Sequence, residues 1–494
     1  ALQPGARVLA TVRRGTATLD VPMLALRQNG AVRSAALLGA GSWRWRTLPD
    51  DLDDLRGVYG TLVDRLVRWT TATRDRRPVR VRPDRALFGE RDRVTFTGQV
   101  YGESLAPVDD ARLELSVRAP GGAVERATMR PLGNGRYVAD LGVRPFINCI
   151  GTITTLSGSL ALPEVRQAMN EASTGYVKIA ELMDAVGQRI AELMQCEYGI
   201  VTAGCAAALT QVTAACVAGT DPGKVARLPD TAGMKNEVIV QKSHRVGYDR
   251  AITAVGTRFV EVETREELEA AYSDRTAMIF IFGDAAERGQ FSVKDMAASG
   301  HARGVPSFVD AAAERPDAPN WYLEQGVDVV AYSGGKCLRG PQASGLVLGK
   351  KELLQAAFLN GCPHGSIGRP MKVGKEEIMG LLAAVEQWIV RDHEAEWREW
   401  ERRLAVIADA ANAFDTVETS IRQPGRSNVA PHMSITWDAN KLGISAARIR
   451  EQLSAGEPSI EMSGGDSGLS INPYMMEEGE AEIVAQRLNE ALTA

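Results

Sequence analysis

The first 146 of the 494 residues contain no lysine. They carry 24 Arg against 16 acidic residues, a balance of +8, whereas residues 147–494 carry 33 basic and 46 acidic residues, a balance of −13; together these give the formal net charge of −5. Long apolar runs are missing too. The longest are strand-sized, such as AMIFIF at 277–282, far short of the ~18–20 residues a membrane span requires. The six cysteines (Cys149, Cys196, Cys205, Cys216, Cys337, Cys362) form no CxxC and no Cys/His cluster with metal-ligand spacing, which excludes a sequence-legible metal site. They read as reduced thiols of a cytoplasmic protein. No secretory signal is expected, because Ala1–Arg14 lacks an apolar core with a cleavage site. The apolar fraction of 45% excludes wholesale disorder, and the length exceeds what one core supports.

Two dissimilar segments are therefore expected. In residues 6–40 short apolar runs alternate with glycine, and Val58–Ala72 carries apolar residues at helical spacing with arginine on the other face. Residues 1–77 read as an α/β fragment, the tail of a domain that begins upstream. From Val79 the pattern becomes period-2 strands with turn clusters every ten or so residues. That rhythm predicts a small antiparallel sandwich over 78–146, similar in pattern to immunoglobulin-like modules. The arginine-dense stretch Arg74–Arg85 fits either solvated linker and edge-strand charge or a polyanion site, and no aromatic interleaving or helix-turn-helix accompanies it. Nothing catalytic is visible before residue 147.

Beyond Phe146 the rhythm is strand, loop, helix. Continuous apolar strands at 199–204, 237–241, 258–262, 277–282, 306–311, 327–333 and 345–349 alternate with helical patterns at 205–218, 265–273 and 292–303. A mainly parallel sheet covered on both faces follows, with ligands at the carboxyl ends of its strands. Four features sit there. Lys336, flanked by Gly334 and Gly335, is either a solvated turn lysine or an amine able to form a Schiff base with a carbonyl. Asp310 ends a strand where a carboxylate can hold a pyridinium nitrogen protonated. The stretch Thr202–Ala208 enters a helix through small residues, which suits a phosphate cradle or plain helix–sheet packing. His244 is either structural or able to stack on a planar ring.

The stretches INCIGTITTLSGS (147–159), LPDTAGMKNE (228–237), SHRVGYD (243–249), VDAAAERP (309–316), SGGKCLRGPQASG (333–345) and SIGRPMKVGKEE (366–377) together identify a family. Residues 147–494 resemble pyridoxal-phosphate enzymes of the aspartate-aminotransferase fold (fold type I), in the group around selenocysteine synthase (L-seryl-tRNA selenium transferase) and D-glucosaminate-6-phosphate ammonia-lyase. The resemblance implies an α/β fold with a large parallel-sheet domain at 147–395, its N-terminal loop closing over the site, and a small α+β domain at 396–494. It also implies pyridoxal 5'-phosphate as cofactor, with Lys336 as the Schiff-base lysine, Asp310 as the pyridinium partner and His244 as the ring-stacker. Gly204, Cys205, Ala206 and Ser333 would contact the phosphate. Arg369, Lys372 and Lys375 would lie near the substrate entrance or serve only to cap a helix beginning near Glu376, and Thr152 and Ser159 would lie on the closing loop. A homodimer or larger homo-oligomer is implied, as is a long helical run over Lys375–Ala411.

The expected reaction is α,β-elimination with release of ammonia from a hydroxylated amino acid or amino sugar acid. The alternatives are selenium transfer on seryl-tRNA or another pyridoxal-phosphate transferase or aminotransferase. A balance of −13 in the catalytic segment argues against a nucleic-acid partner. A catalytically idle scaffold has no use for the combination of Lys336, Asp310 and the glycine loops.

Overall fold

In the computed structural model the chain splits into two compact units, Ala1–Arg144 and Pro145–Ala494. The structure describes residues 146–493 except 428 and, before them, segments 6–14, 17–29, 32–37, 58–71, 78–83, 96–102, 107–118, 124–133 and 136–139.

In the first unit Ala6–Arg14, Ala17–Asn29 and Val32–Leu37 form an antiparallel meander, and Val58–Thr71 is a helix. A five-stranded antiparallel sheet follows, ordered Val79–Pro83, Phe96–Val100, Arg136–Ala139, Val124–Gly133, Leu113–Arg118. Val100 and Met129 form its small core. Among the described residues this is a single sheet, and the second layer of the expected sandwich is not part of them. Of the arginine-dense stretch, Arg74, Arg76, Arg77 and Arg85 lie outside the described residues. Arg80 stacks on the Tyr101 ring at 5.7 Å, the packing of an edge-strand arginine.

The second unit is built on a seven-stranded sheet. Its order is Tyr198–Thr202, Gly345–Gly349, Val329–Ser333, Ser307–Asp310, Thr276–Phe282, Glu237–Gln241, Arg258–Val262. Gly345–Gly349 alone runs antiparallel to its neighbours, and the other strands point one way. Burial on both faces explains their unbroken apolar character. The edge strand Arg258–Val262 is the most exposed of them and carries charge at Arg258 and Glu261. Helix Cys205–Ala218 is apolar nearly all round because it is buried nearly all round. Shared direction brings Thr202, Gln241, Phe282, Asp310 and Ser333 to one edge, and the loops after them make the site.

A separate core, containing Leu404, Ile407, Met433, Ile435, Ile449, Leu469 and Leu488, lies in the C-terminal part. Its sheet is Val417–Arg422, His432–Trp437, Gly468–Ile471 and Ser463–Gly465. Strand Phe146–Asn148 pairs in parallel with Ser459–Glu461, so the start of this unit is tied into its C-terminal layer. The single helical run expected over 375–411 is two helices, Lys375–Val390 and His393–Ala411. Arg391 is extended at the break, and Asp392 caps the second helix by accepting from Ala395 N at 2.9 Å.

Candidate active site

The loops at the carboxyl edge surround a cavity of about 580 Å³, lined by Lys336, Asp310, Gly204, Cys205, Ala206, Ser333 and Thr152 among others. Seven residues singled out in the sequence thus meet in one place. Glycine makes this possible locally. Gly204 adopts φ +125° at the N-cap of helix Cys205–Ala218, a conformation open to glycine and rarely to other residues. A Cβ on Gly334 would overlap Ser344 Oγ, and one on Gly335 would reach within 2.6 Å of Gln342 Cα.

The turn that carries Lys336 is held from several sides. Gly334 N donates to Ser344 O at 2.9 Å and Gly340 N to Gly334 O at 2.8 Å. Cys337 Sγ donates to Glu314 O at 2.8 Å, while Cys337 O accepts from Tyr474 Oη at 2.8 Å. The N-terminal loop docks on the same turn: Ser159 N donates to Gly335 O at 3.0 Å and Leu162 N to Arg339 O at 3.1 Å. Lys336 is therefore presented to the cavity from a fixed backbone rather than from a surface turn.

Asp310 is 2% exposed. Burial pushes its pKa up, opposed by the Cys205 thiol, the Ala312 amide and the Lys336 charge. Glu314, fully buried in the cavity wall, is also raised by burial. Both its oxygens accept from Tyr322 Oη, at 2.7 and 2.8 Å, and Arg426 Nε reaches Oε2 at 3.2 Å. Arg426 comes from the C-terminal layer, also binds Asp317 at 2.9 Å, and lies 4.3 Å from the centre of the Trp321 ring. Arg426→Ala should leave Glu314 with one donor and lower stability by about 2–3 kcal/mol; that is below the ~3–5 typical of a broken buried pair because Arg426 is partly solvated. The urea midpoint at neutral pH measures it, and an unchanged midpoint would show the contact to be energetically idle.

The other expected positions do not line the cavity. His244 is buried but does not line the cavity. Its Nδ1 accepts from Phe282 N at 3.2 Å, and Nε2 lies 3.1 Å from Arg288 O and 3.3 Å from Gln241 Nε2. Both ring nitrogens brace the loops after two strands, and burial lowers its pKa. Arg369 and Lys372 are exposed and also do not line the cavity. Ser159 stands behind the wall through its amide, its Oγ buried and unpartnered. Sequence reasoning missed Tyr248, Gln342, Asn472 and Tyr474, which do line it. Tyr248 and Gln342 lie inside the motifs SHRVGYD and SGGKCLRGPQASG, and no motif or periodicity singles out Asn472 or Tyr474.

A phosphorylated pyridine aldehyde needs an anion cradle, a buried carboxylate for its ring nitrogen and an amine for its carbonyl, and the donor set matches. The cradle is the N-terminus of a 14-residue helix with no acid in its first turn and no side-chain cap, entered through Gly204, where a Cβ would meet open space.

Comparisons with known proteins agree. Residues 152–373 match the family described as Cys/Met metabolism PLP-dependent enzyme. The chain is 30% identical over 364 residues to D-glucosaminate-6-phosphate ammonia lyase of Salmonella typhimurium, covering 71% of this chain and 96% of that protein. A solved structure of D-glucosaminate-6-phosphate ammonia-lyase matches with a TM-score of 0.64 at 30% identity, over 71% of this chain and 96% of that one. The 5'-C-glycyluridine monooxygenase-decarboxylase of a Streptomyces species is 32% identical over 368 residues, 71% of this chain and 91% of that protein. L-seryl-tRNA(Sec) selenium transferase of Proteus mirabilis is more distant, 26% identical over 280 residues, 49% of this chain and 56% of that protein. The chain belongs to the fold type I family of pyridoxal-phosphate-dependent enzymes that includes D-glucosaminate-6-phosphate ammonia lyase. Its cofactor is pyridoxal 5'-phosphate.

Proposed function

We propose that residues 147–494 release ammonia from a hydroxylated amino acid or a 2-amino-2-deoxy sugar acid such as D-glucosaminate 6-phosphate, with 147–395 as the cofactor-binding domain and 396–494 as the smaller domain. The observation that carries this reading is the convergence of Lys336, Asp310 and an acid-free helix N-terminus on one cavity, in a chain that spans 96% of an ammonia lyase. Bound pyridoxal phosphate supplies an electron sink that acidifies the α C–H of an attached amino acid. Lys336 holds the cofactor and then accepts the α-proton at Nζ as general base. Asp310 presents negative charge to the ring nitrogen. The amides of Gly204, Cys205 and Ala206, with Ser333, take the phosphate. Thr152, Tyr248 and Asn472 offer hydroxyl and amide donors to the substrate's oxygens and to the departing β-hydroxyl. Assay of ammonia and keto-acid release tests this, using hydroxylated amino acids and D-glucosaminate 6-phosphate. The relation to the Streptomyces enzyme favours a second reading, oxygen-dependent decarboxylation. Oxygen uptake with carbon dioxide release and no ammonia would establish that reading, whereas tight seryl-tRNA binding without ammonia release would favour selenium transfer.

Arg369 and Lys372 serve the substrate in this reading from a homodimer interface, which would also cover the exposed apolar side chains of Ile153, Leu160, Tyr176 and Val177. Sedimentation equilibrium should return twice the chain mass or more; a monomer would remove both residues from the substrate site. A cytoplasmic location fits the six free thiols. Among the described residues no helix is long and apolar enough to cross a membrane.

A further inference from the structure

Cys205 opens the helix whose amides form the anion cradle, yet its side chain turns away from that task. Sγ lies 3.1 Å from Asp310 Oδ1, and the same oxygen accepts the Ala312 amide at 3.1 Å. Among the described residues Asp310 Oδ2 has no hydrogen-bond partner, although the carboxylate is buried and borders the cavity. A buried carboxylate with one oxygen bonded twice and the other bare is built to receive a donor from the cavity.

We propose that Cys205 is a positioning residue: its thiol donates to Asp310 Oδ1 and, with the Ala312 amide, fixes the carboxylate so that Oδ2 meets the ring nitrogen of pyridoxal phosphate. The inference rests on Asp310 being the partner of that ring. The direction of the bond is set by chemistry, because an ionised carboxylate only accepts and S–H is the one donor the thiol has. Burial and the neighbouring Asp310 charge both push the Cys205 pKa well up, which keeps the thiol protonated. The contact in turn is the leading influence opposing the burial that raises Asp310. Each group thus holds the other in the state the site requires. A thiol is a weak donor, so it orients Oδ1 while leaving the carboxylate's charge available to Oδ2.

The test titrates the apo-protein with pyridoxal 5'-phosphate, reading Kd from visible absorbance, for wild type, Cys205→Ser, Cys205→Ala, Asp310→Asn and the Cys205→Ala/Asp310→Asn pair. Cys205→Ala should weaken binding about fivefold, Cys205→Ser should restore it to within about twofold, and Asp310→Asn should weaken it more than either. In the pair, the Cys205 change should add nothing to the loss from Asp310→Asn. Infrared spectra of the apo-proteins give a readout independent of the cofactor. The S–H band that disappears in Cys205→Ala should move to higher frequency in Asp310→Asn. Additive losses, or an S–H band unmoved by Asp310→Asn, would overturn the positioning role while leaving Asp310 as ring partner. Wild-type affinity in Asp310→Asn would overturn the Asp310 assignment itself.

Discussion

Replacing Lys336 by alanine is expected to reduce ammonia release by about 10³- to 10⁴-fold or more, because one amine both anchors the cofactor and moves the α-proton. The fold should survive. Lys336 is half-buried, and its turn is held by contacts that do not use its side chain: Gly340 N to Gly334 O, Arg339 N to Lys336 O, and Tyr474 Oη to Cys337 O. Lys336→Ala should therefore keep the wild-type far-UV circular dichroism and melting transition while losing the visible absorbance that marks covalently held cofactor. Exogenous methylamine should recover part of the rate, since it replaces the proton acceptor without replacing the tether. Retention of more than a tenth of wild-type turnover would remove Lys336 from the chemistry.

Asp310→Asn is expected to have opposite effects on cofactor and fold. Loss of the negative partner should weaken pyridoxal-phosphate binding about 10- to 100-fold, the range for a hydrogen bond to a charged group. Stability of the apo-protein should rise. Asp310 has a folded-state pKa above its ordinary value because it is buried, so its ionised form is less favourable in the folded chain than in the unfolded one. At pH below the ordinary carboxylate range the group costs nothing, and the cost grows as pH climbs through that range toward the raised folded value, where it levels off. Apo Asp310→Asn should melt higher than apo wild type at pH 7, and the gap should close in acid. A buried charge that destabilises the empty fold and serves the bound one is the usual trade between stability and function. Equal melting temperatures at pH 7 would mean that the local donors fully compensate the burial.

The sequence was legible where the physics is local. The interiors of doubly buried strands such as Glu237–Gln241 and Thr276–Phe282 stand out as apolar runs, and helix Cys205–Ala218 begins and ends where expected. Strand direction is not written in composition: GLVLG would read the same in either sense, and the reversal of Gly345–Gly349 comes from its two antiparallel partners. The break at Arg391 was hidden because the residues on both sides favour helix, and only the Asp392 cap marks it.

The site divides in the same way. Lys336, Asp310 and the Gly204–Ala206 entry lie at strand ends, where topology alone brings them together. His244 also follows a strand, but it does not line the cavity, and its two ring nitrogens meet Phe282 N and Arg288 O, which depends on how neighbouring loops close. Asn472 and Tyr474 reach the cavity from about 136 residues beyond Lys336. Asn472 is held by accepting from Tyr474 N at 2.9 Å and contacts His432 Nε2 at 3.1 Å. No periodicity announces such a contact, because it belongs to the packing of the C-terminal layer on the large sheet.

The central claim is that Lys336 holds pyridoxal phosphate in this cavity. Borohydride reduction of the reconstituted protein, followed by peptide mapping, tests it most directly: the visible band should be lost and a phosphopyridoxyl group should appear on Lys336, and a label on another lysine, or a protein that never acquires the band, would contradict it.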